Sequence, residues 1–279
     1  MIVDSHVHVA SPNRAHYPLR PSGVGSEWFR TDDVSVLDLL GLMDRHGVDR
    51  TVVVQAIGAY GHDCSYAIDA VRDYPERLCL VGSIDMDGED PSAALFALAR
   101  AAGDILRGIR LFGVLGHEPE WLRDGRADRV WELAGQLAIT IVPTLFPAAL
   151  PEMASVVERH PQVPTVLEHI GFVDLAGGTP FPEARPLFDL AGHPAVRLKV
   201  TTHSLEHAES VGDPADLLDR LVATFGADRL VWGSDHPQSV GRSYEQKIAL
   251  ARHSARRLEA ADRDRYLGTN AMTLWWPNG

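Results

Sequence analysis

Residues 1–10 read MIVDSHVHVA, a β-branched apolar run that ends in two histidines one residue apart. On a strand, residues i and i+2 share a face, so His6 and His8 are expected to project together, with Asp4 one pleat deeper. Seven later runs have the same character: RTVVVQAIG, LCLVGSID, LRGIRLFG, AITIVPTLF, PTVLEHIG, VRLKVTTHS and RLVWGSDHP. Between them, apolar residues fall at three- and four-residue spacings over 34–46, 64–74, 93–102, 129–137, 153–159 and 214–225, which predicts amphipathic helices. Near-continuous apolar runs suit parallel strands covered by helices on both faces. Eight such units without a composition break predict an α/β chain folded as one (β/α)8 TIM-barrel domain over residues 1–279. GxGxxG and GxxxxGK[ST] are both absent, which removes the usual sequence argument for a nucleotide-binding doubly wound sheet.

With 45% apolar and 23% charged residues, the composition is that of a soluble globular protein. Its apolar runs are far shorter than the roughly 20 residues that cross a bilayer, so no membrane partner is expected. A net charge of −12 argues against nucleic acid as a partner and leaves a small-molecule substrate. The start of the chain has no basic segment followed by a small-residue cleavage site, so the expected location is cytoplasmic. Cys64 and Cys79 lack zinc or redox spacing and are read as reduced side chains without chemistry. Assembly into a homo-oligomer is left open.

In such a barrel the working residues lie at the C-terminal ends of the strands. Strand one ends in His6 and His8, strand four carries Arg110, strand six ends in Glu168 and His169, and strand eight ends in Asp235 and His236. Paired imidazoles make half a site for a divalent metal or for a polarised substrate oxygen, although a lone His-x-His can also be satisfied by local carbonyls. Ser234 or Asp235 could instead cap a helix. Taken together, a carboxylate beside imidazoles at a barrel mouth suits deprotonation of a water for attack on a carbonyl. Arg110 interrupts an apolar strand, and its fork would hold a substrate carboxylate or enolate-like oxygen, or else pair with Asp4 inside the barrel. His16, Tyr17, Gln55 on strand two, His62 and His203 on strand seven are secondary candidates for a polar pocket. The Pro/Gly-rich segment 11–30 is expected to loop over the mouth, and Trp275 and Trp276 to anchor the last helix.

DSHVH, GIRLF, LEHIG, WGSDHP and the closing YLGTNAMTLW, in this order from Asp4 to about Trp275, resemble the amidohydrolase superfamily. The similarity is to its amidohydrolase-related branch of lactonases, such as pyrone-dicarboxylate and sugar lactonases, and of non-oxidative decarboxylases. The resemblance implies that His6 and His8 bind a divalent ion or, in metal-free relatives, help to polarise the scissile carbonyl. It implies that His169 is a substrate-polarising or acid/base residue, and that Asp235 takes a proton from the attacking water and ligates the ion where one is present. Strand five departs from the metal-dependent pattern, offering Pro143 and Thr144 where those relatives carry a histidine or a carboxylated lysine. His6, His8 and Asp235 still make a three-ligand set that Glu168 or His169 could complete, so one zinc or manganese ion is left open.

The leading expectation is a hydrolase that opens a small lactone or related cyclic ester. Asp235 acts as base, His169 and the strand-one pair stabilise the oxyanion, and Arg110 holds the substrate. A metal-dependent decarboxylase of an aromatic or unsaturated acid on the same fold is the alternative within the family. A barrel that binds a ligand without catalysis is the alternative outside it.

Overall fold

A computed structural model describes residues 1–23, 25–31, 34–114 and 118–277. Eight parallel strands, β1 (Val3–Val7), β2 (Arg50–Val54), β3 (Leu78–Ser83), β4 (Leu106–Gly113), β5 (Thr140–Leu145), β6 (Thr165–Leu167), β7 (Val196–Thr201) and β8 (Leu230–Gly233), pair in chain order. Beyond β8 the chain returns to β1: Val7 bridges His236, and the Asp235 amide donates to the His6 carbonyl at 2.9 Å. The expected barrel is therefore present, nearly closed and ringed by helices.

Alternation along the strands sorts their side chains into two cores. Val3, Val52, Val54, Val81, Val142 and Val166 point inwards and form a cluster with Trp275. Val7, Val53, Leu80, Ile109, Leu111 and Leu198 point outwards into the helical layer. The final helix, Asn270–Trp275, lies across the bottom of the barrel, where Trp275 is fully buried and its Nε1 donates to Ser5 Oγ at 3.3 Å. It packs as the sequence suggests and closes the floor.

The helices match the apolar spacing in place but not always in their ends. Pro214–Phe225 agrees, whereas the three expected from residues 93, 129 and 153 begin at Pro91, Arg126 and Leu150. The Asp90 side chain caps Ala93 N with Pro91 in the first turn, so the helix starts in polar and proline-bearing residues that carry no apolar period. Among the described residues no helix is long and apolar enough to cross a membrane.

Strand β1 departs from simple alternation. Asp4 pairs with Thr51 and Val7 with Val53, so Ser5 and His6 together stand opposite Val52, a β-bulge. The bulge turns both Ser5 and His6 inwards and leaves Asp4 outside the wall, which corrects its expected position below the histidines. There Asp4 Oδ1 accepts from the amides of Ser234 (2.8 Å) and His6 (3.1 Å), while Oδ2 accepts from Tyr244 OH (3.0 Å). Asp4 thus ties β1, β8 and the helix Tyr244–Ser254 together. Gly233 answers the same bulge on the neighbouring strand, since a Cβ there would lie 2.6 Å from His6 Cβ.

Candidate active site

At the C-terminal end of the barrel the inward side chains change from valines to polar groups. His8 lies just past β1, Arg110 near the end of β4, and Asp235 two residues past β8. They surround a cavity of about 300 Å³ with His169 from the end of β6. His6, fully buried, sits beneath and does not line the cavity. After β6 the backbone enters a left-handed run, with φ of 51° at His169, 49° at Ile170, 70° at Gly171 and 49° at Phe172. Asp235 has φ 52° as well. Each left-handed non-glycine residue costs about 1–2 kcal/mol, a strain concentrated where side chains are re-aimed into the mouth.

Each histidine has one ring nitrogen committed. His8 Nδ1 donates to the Val54 carbonyl at 2.8 Å, and His6 Nδ1 to Glu168 Oε2 at 2.8 Å. Both partners are acceptors, which assigns the proton to Nδ1 and leaves a lone pair on each Nε2. Those two Nε2 atoms are 3.1 Å apart, and Asp235 Oδ1 is 3.5 Å from each. Buried Asp235 Oδ1 has no hydrogen-bond partner among the described residues. Three acceptors thus converge with no donor assigned between them, a gap that a proton on one Nε2 or a divalent ion would fill. Donors about 2.1 Å from a tetrahedral zinc ion stand about 3.4 Å apart, so this spacing fits a divalent ion. His6, His8 and Asp235 are the residues that could hold it.

Burial opposes charge on Asp235, but the His8, His6 and His169 rings outweigh it and keep its pKa below the usual carboxylate range. His6 is held well below the ordinary imidazole value by burial, against the pull of Glu168. His169 Nδ1 pairs with Thr201 Oγ1 at 2.9 Å and its Nε2 accepts from Arg110 Nη2 at 3.3 Å. Burial, opposed by Asp235 and Glu168, pulls the His169 pKa down to about 4, so the ring is neutral near pH 7. Arg110 Nε donates to Thr144 Oγ1 at 2.8 Å and its guanidinium lies 4.4 Å from the Phe112 ring centroid. Among the described residues it is the one arginine or lysine lining the cavity. The Asp4 pairing considered for Arg110 is not formed, because Asp4 faces the other side of the wall. Nor does Asp235 cap a helix: the next one, Tyr244–Ser254, is capped by Ser243.

Residues 11–23 and 25–30 reach over the mouth, but they are not all loop: Trp28–Thr31 forms a helical turn. Arg20 N donates to the Ala59 carbonyl and Ser26 Oγ to the Gln238 carbonyl, and Trp28 stacks on His8 at 6.3 Å between ring centroids. Of the secondary candidates only His203 faces the cavity, and it lies in the first turn of the helix Thr202–Val211 rather than on β7. Gln55, just past β2, donates to the carbonyls of Gly61 and Asp63, and His62 contacts Ser83 Oγ. His16 and Tyr17 pair with each other outside the cavity, where Tyr17 OH donates to Asp69. Cys64 and Cys79 are buried and free. Sequence reasoning missed Lys199, an inward lysine in the apolar run of β7 whose Nζ donates to Glu168 Oε1 at 2.7 Å. The signal was the one that exposed Arg110, a cation interrupting an apolar strand.

A model of the family described as Amidohydrolase matches residues 3–275. The chain belongs to the amidohydrolase family. This amidohydrolase is 32% identical over 215 residues to an L-fucono-1,5-lactonase of Burkholderia ambifaria, spanning 74% of this chain and 71% of that one. It is 28% identical over 240 residues to a 4-sulfomuconolactone hydrolase of Rhizobium radiobacter, spanning 85% and 75%. An amidohydrolase of Burkholderia multivorans, solved with bound zinc, superposes with a TM-score of 0.79 over 99% of both chains at 24% identity, a likeness of fold.

Proposed function

We propose that this protein hydrolyses the ring ester of a small lactone at the barrel mouth. The observation that carries the proposal is the convergence of His6 Nε2, His8 Nε2 and Asp235 Oδ1 on one point beside a cavity walled by Arg110 and His169. The two curated relatives compared above are both lactone hydrolases, which supports this reading over a decarboxylase.

The lactone carbonyl sits between Arg110 and the Asp235 side of the cavity. The ionised Asp235 carboxylate takes a proton from water while the water oxygen bonds to the carbonyl carbon. Arg110 faces the carbonyl oxygen and receives the negative charge that develops there, in a site whose burial strengthens the attraction. His169, neutral, holds the guanidinium in direction through its Nε2 lone pair. As the ring C–O bond breaks, the proton passes to the ring oxygen and the hydroxy acid leaves. A zinc or manganese ion held by His6, His8 and Asp235 would supply Lewis-acid polarisation of the carbonyl.

The test is Asp235→Asn assayed by acid release from a panel of small γ- and δ-lactones. The expected result is a loss of roughly 10²- to 10⁴-fold in kcat/KM with the fold intact. Turnover within about threefold of wild type on a lactone that the native protein opens would overturn the assignment.

A further inference from the structure

Two donor sets overlap at His6. One is His6, His8 and Asp235; the other is His6, Glu168 and His169; within each, the ligand atoms lie within 4.8 Å of one another. Glu168, a member of the second set and the partner of the histidine shared with the first, is fully buried. A carboxylate in that place could either join the ligands or serve as the partner that orients His6, and the sequence alone favours neither.

Its two oxygens decide the matter. Oε2 accepts from His6 Nδ1 at 2.8 Å and Oε1 from Lys199 Nζ at 2.7 Å. Lys199 is fully buried on the inner face of β7, and Glu168 Oε1 is its hydrogen-bond partner. The Trp275 ring of the barrel floor lies 5.7 Å from Nζ. An ammonium buried without a counter-charge costs several kcal/mol, so Lys199 holds Glu168 in place as firmly as Glu168 holds it. A carboxylate fixed in this way fixes in turn the ring it accepts from, its tautomer and its direction.

We infer that Lys199 is a positioning residue that, by clamping Glu168, keeps the His6 proton on Nδ1 and reserves the His6, His8 and Asp235 set for a cation. The second half rests on the metal reading of the site; the first does not. Without Lys199, Glu168 Oε1 is released, the orientation of His6 is lost, and the three acceptors no longer converge.

The test compares the full wild-type chain with Lys199→Arg, Lys199→Met and the uncharged pair Lys199→Met/Glu168→Gln, in which an amide oxygen at position 168 can still accept from His6 Nδ1. Metal-free protein is read first by ¹⁵N-histidine NMR, which reports the tautomer of each ring, and cobalt(II) chloride is then titrated in. Wild type and Lys199→Arg are expected to show His6 protonated on Nδ1 and to bind cobalt alike. Lys199→Met is expected to lose that tautomer and to bind cobalt roughly 10- to 100-fold more weakly, the usual cost of removing an outer partner. If Lys199→Met does not fold, the uncharged pair is expected to show the same two losses. Retention of the Nδ1 tautomer in Lys199→Met, or in the pair where that variant does not fold, overturns the inference. A wild-type chain that binds no cobalt overturns the metal reading, while the NMR arm still decides the role of Lys199.

Discussion

The two ends of the barrel are built from the same eight strands and obey different rules. At the floor, Val3, Val52, Val142 and Val166 meet Trp275 in an apolar cluster. At the mouth, a short step along the strands, the inward positions are His6, Arg110, Glu168 and the residues after β8, with left-handed backbone at His169 and Asp235. The floor maximises burial, which makes its contribution insensitive to pH and detail. The mouth gives up burial and regular backbone for a set of directed polar groups, so its integrity depends on each partner.

The contrast is broken most severely at the floor. Trp275→Ala is expected to destabilise the protein by about 3–5 kcal/mol, the usual cost of emptying a buried Trp site, measured by urea denaturation. Undiminished stability would show that the floor is not the main support. At the mouth the loss appears in rate instead. Arg110→Met is expected to lower kcat on an opened lactone by roughly 10²- to 10³-fold, with stability equal to or above that of wild type. Equal losses of stability in both variants would erase the distinction between the two ends.

Acid should separate the ends as well. His169 is pulled down to about 4 from an ordinary 6.5, and His236 to about 3, in both cases first by burial. Between pH 6.5 and about 4 the unfolded chain therefore binds protons that the folded mouth refuses, and stability falls as pH falls through that window. For His169 alone this amounts to on the order of 3 kcal/mol at full extent. His169→Gln should flatten the slope of stability against pH between 7 and 4, while Trp275→Ala should lower the curve without changing its slope. An unchanged slope in His169→Gln would remove His169 as a source of the acid sensitivity. The smallest effect is expected at Gly25, where φ is +74° and a Cβ would fall 1.9 Å from Gln238 Nε2. Gly25→Ala should shift the segment over the mouth and raise KM several-fold, at a stability cost of about 1 kcal/mol; a KM equal to wild type would show that this segment does not shape substrate binding.

Much of this architecture was legible in the sequence because parallel strands covered on both faces must be apolar, and eight such runs stand out with helices between them. The polar members of the mouth were legible for the converse reason: His6, Arg110, His169 and Asp235 interrupt or end apolar runs. What escaped depends on three-dimensional register. The bulge that turns His6 inwards and Asp4 outwards is a pairing offset between β1 and β2, and no residue type announces it. Only Gly171 hints at the left-handed run of residues 169–172, because the other three adopt it against their preference. The Lys199 contact with Glu168 follows from the alignment of β6 on β7, which places residues 31 apart in sequence within 2.7 Å. Helix starts escaped because a cap such as Asp90 with Pro91 works through hydrogen bonding and φ, not through an apolar repeat.

Trp275 has a kinetic consequence. With the floor filled by this indole, reactant and product both pass the mouth end of the barrel, where His8, Arg110, His169 and Asp235 line the cavity. A reactant can enter only after the previous hydroxy acid has departed through the same end. The protein should therefore follow strictly alternating occupancy, and its own product should act as a competitive inhibitor, raising the apparent KM at accumulating turnover while leaving the maximal velocity untouched.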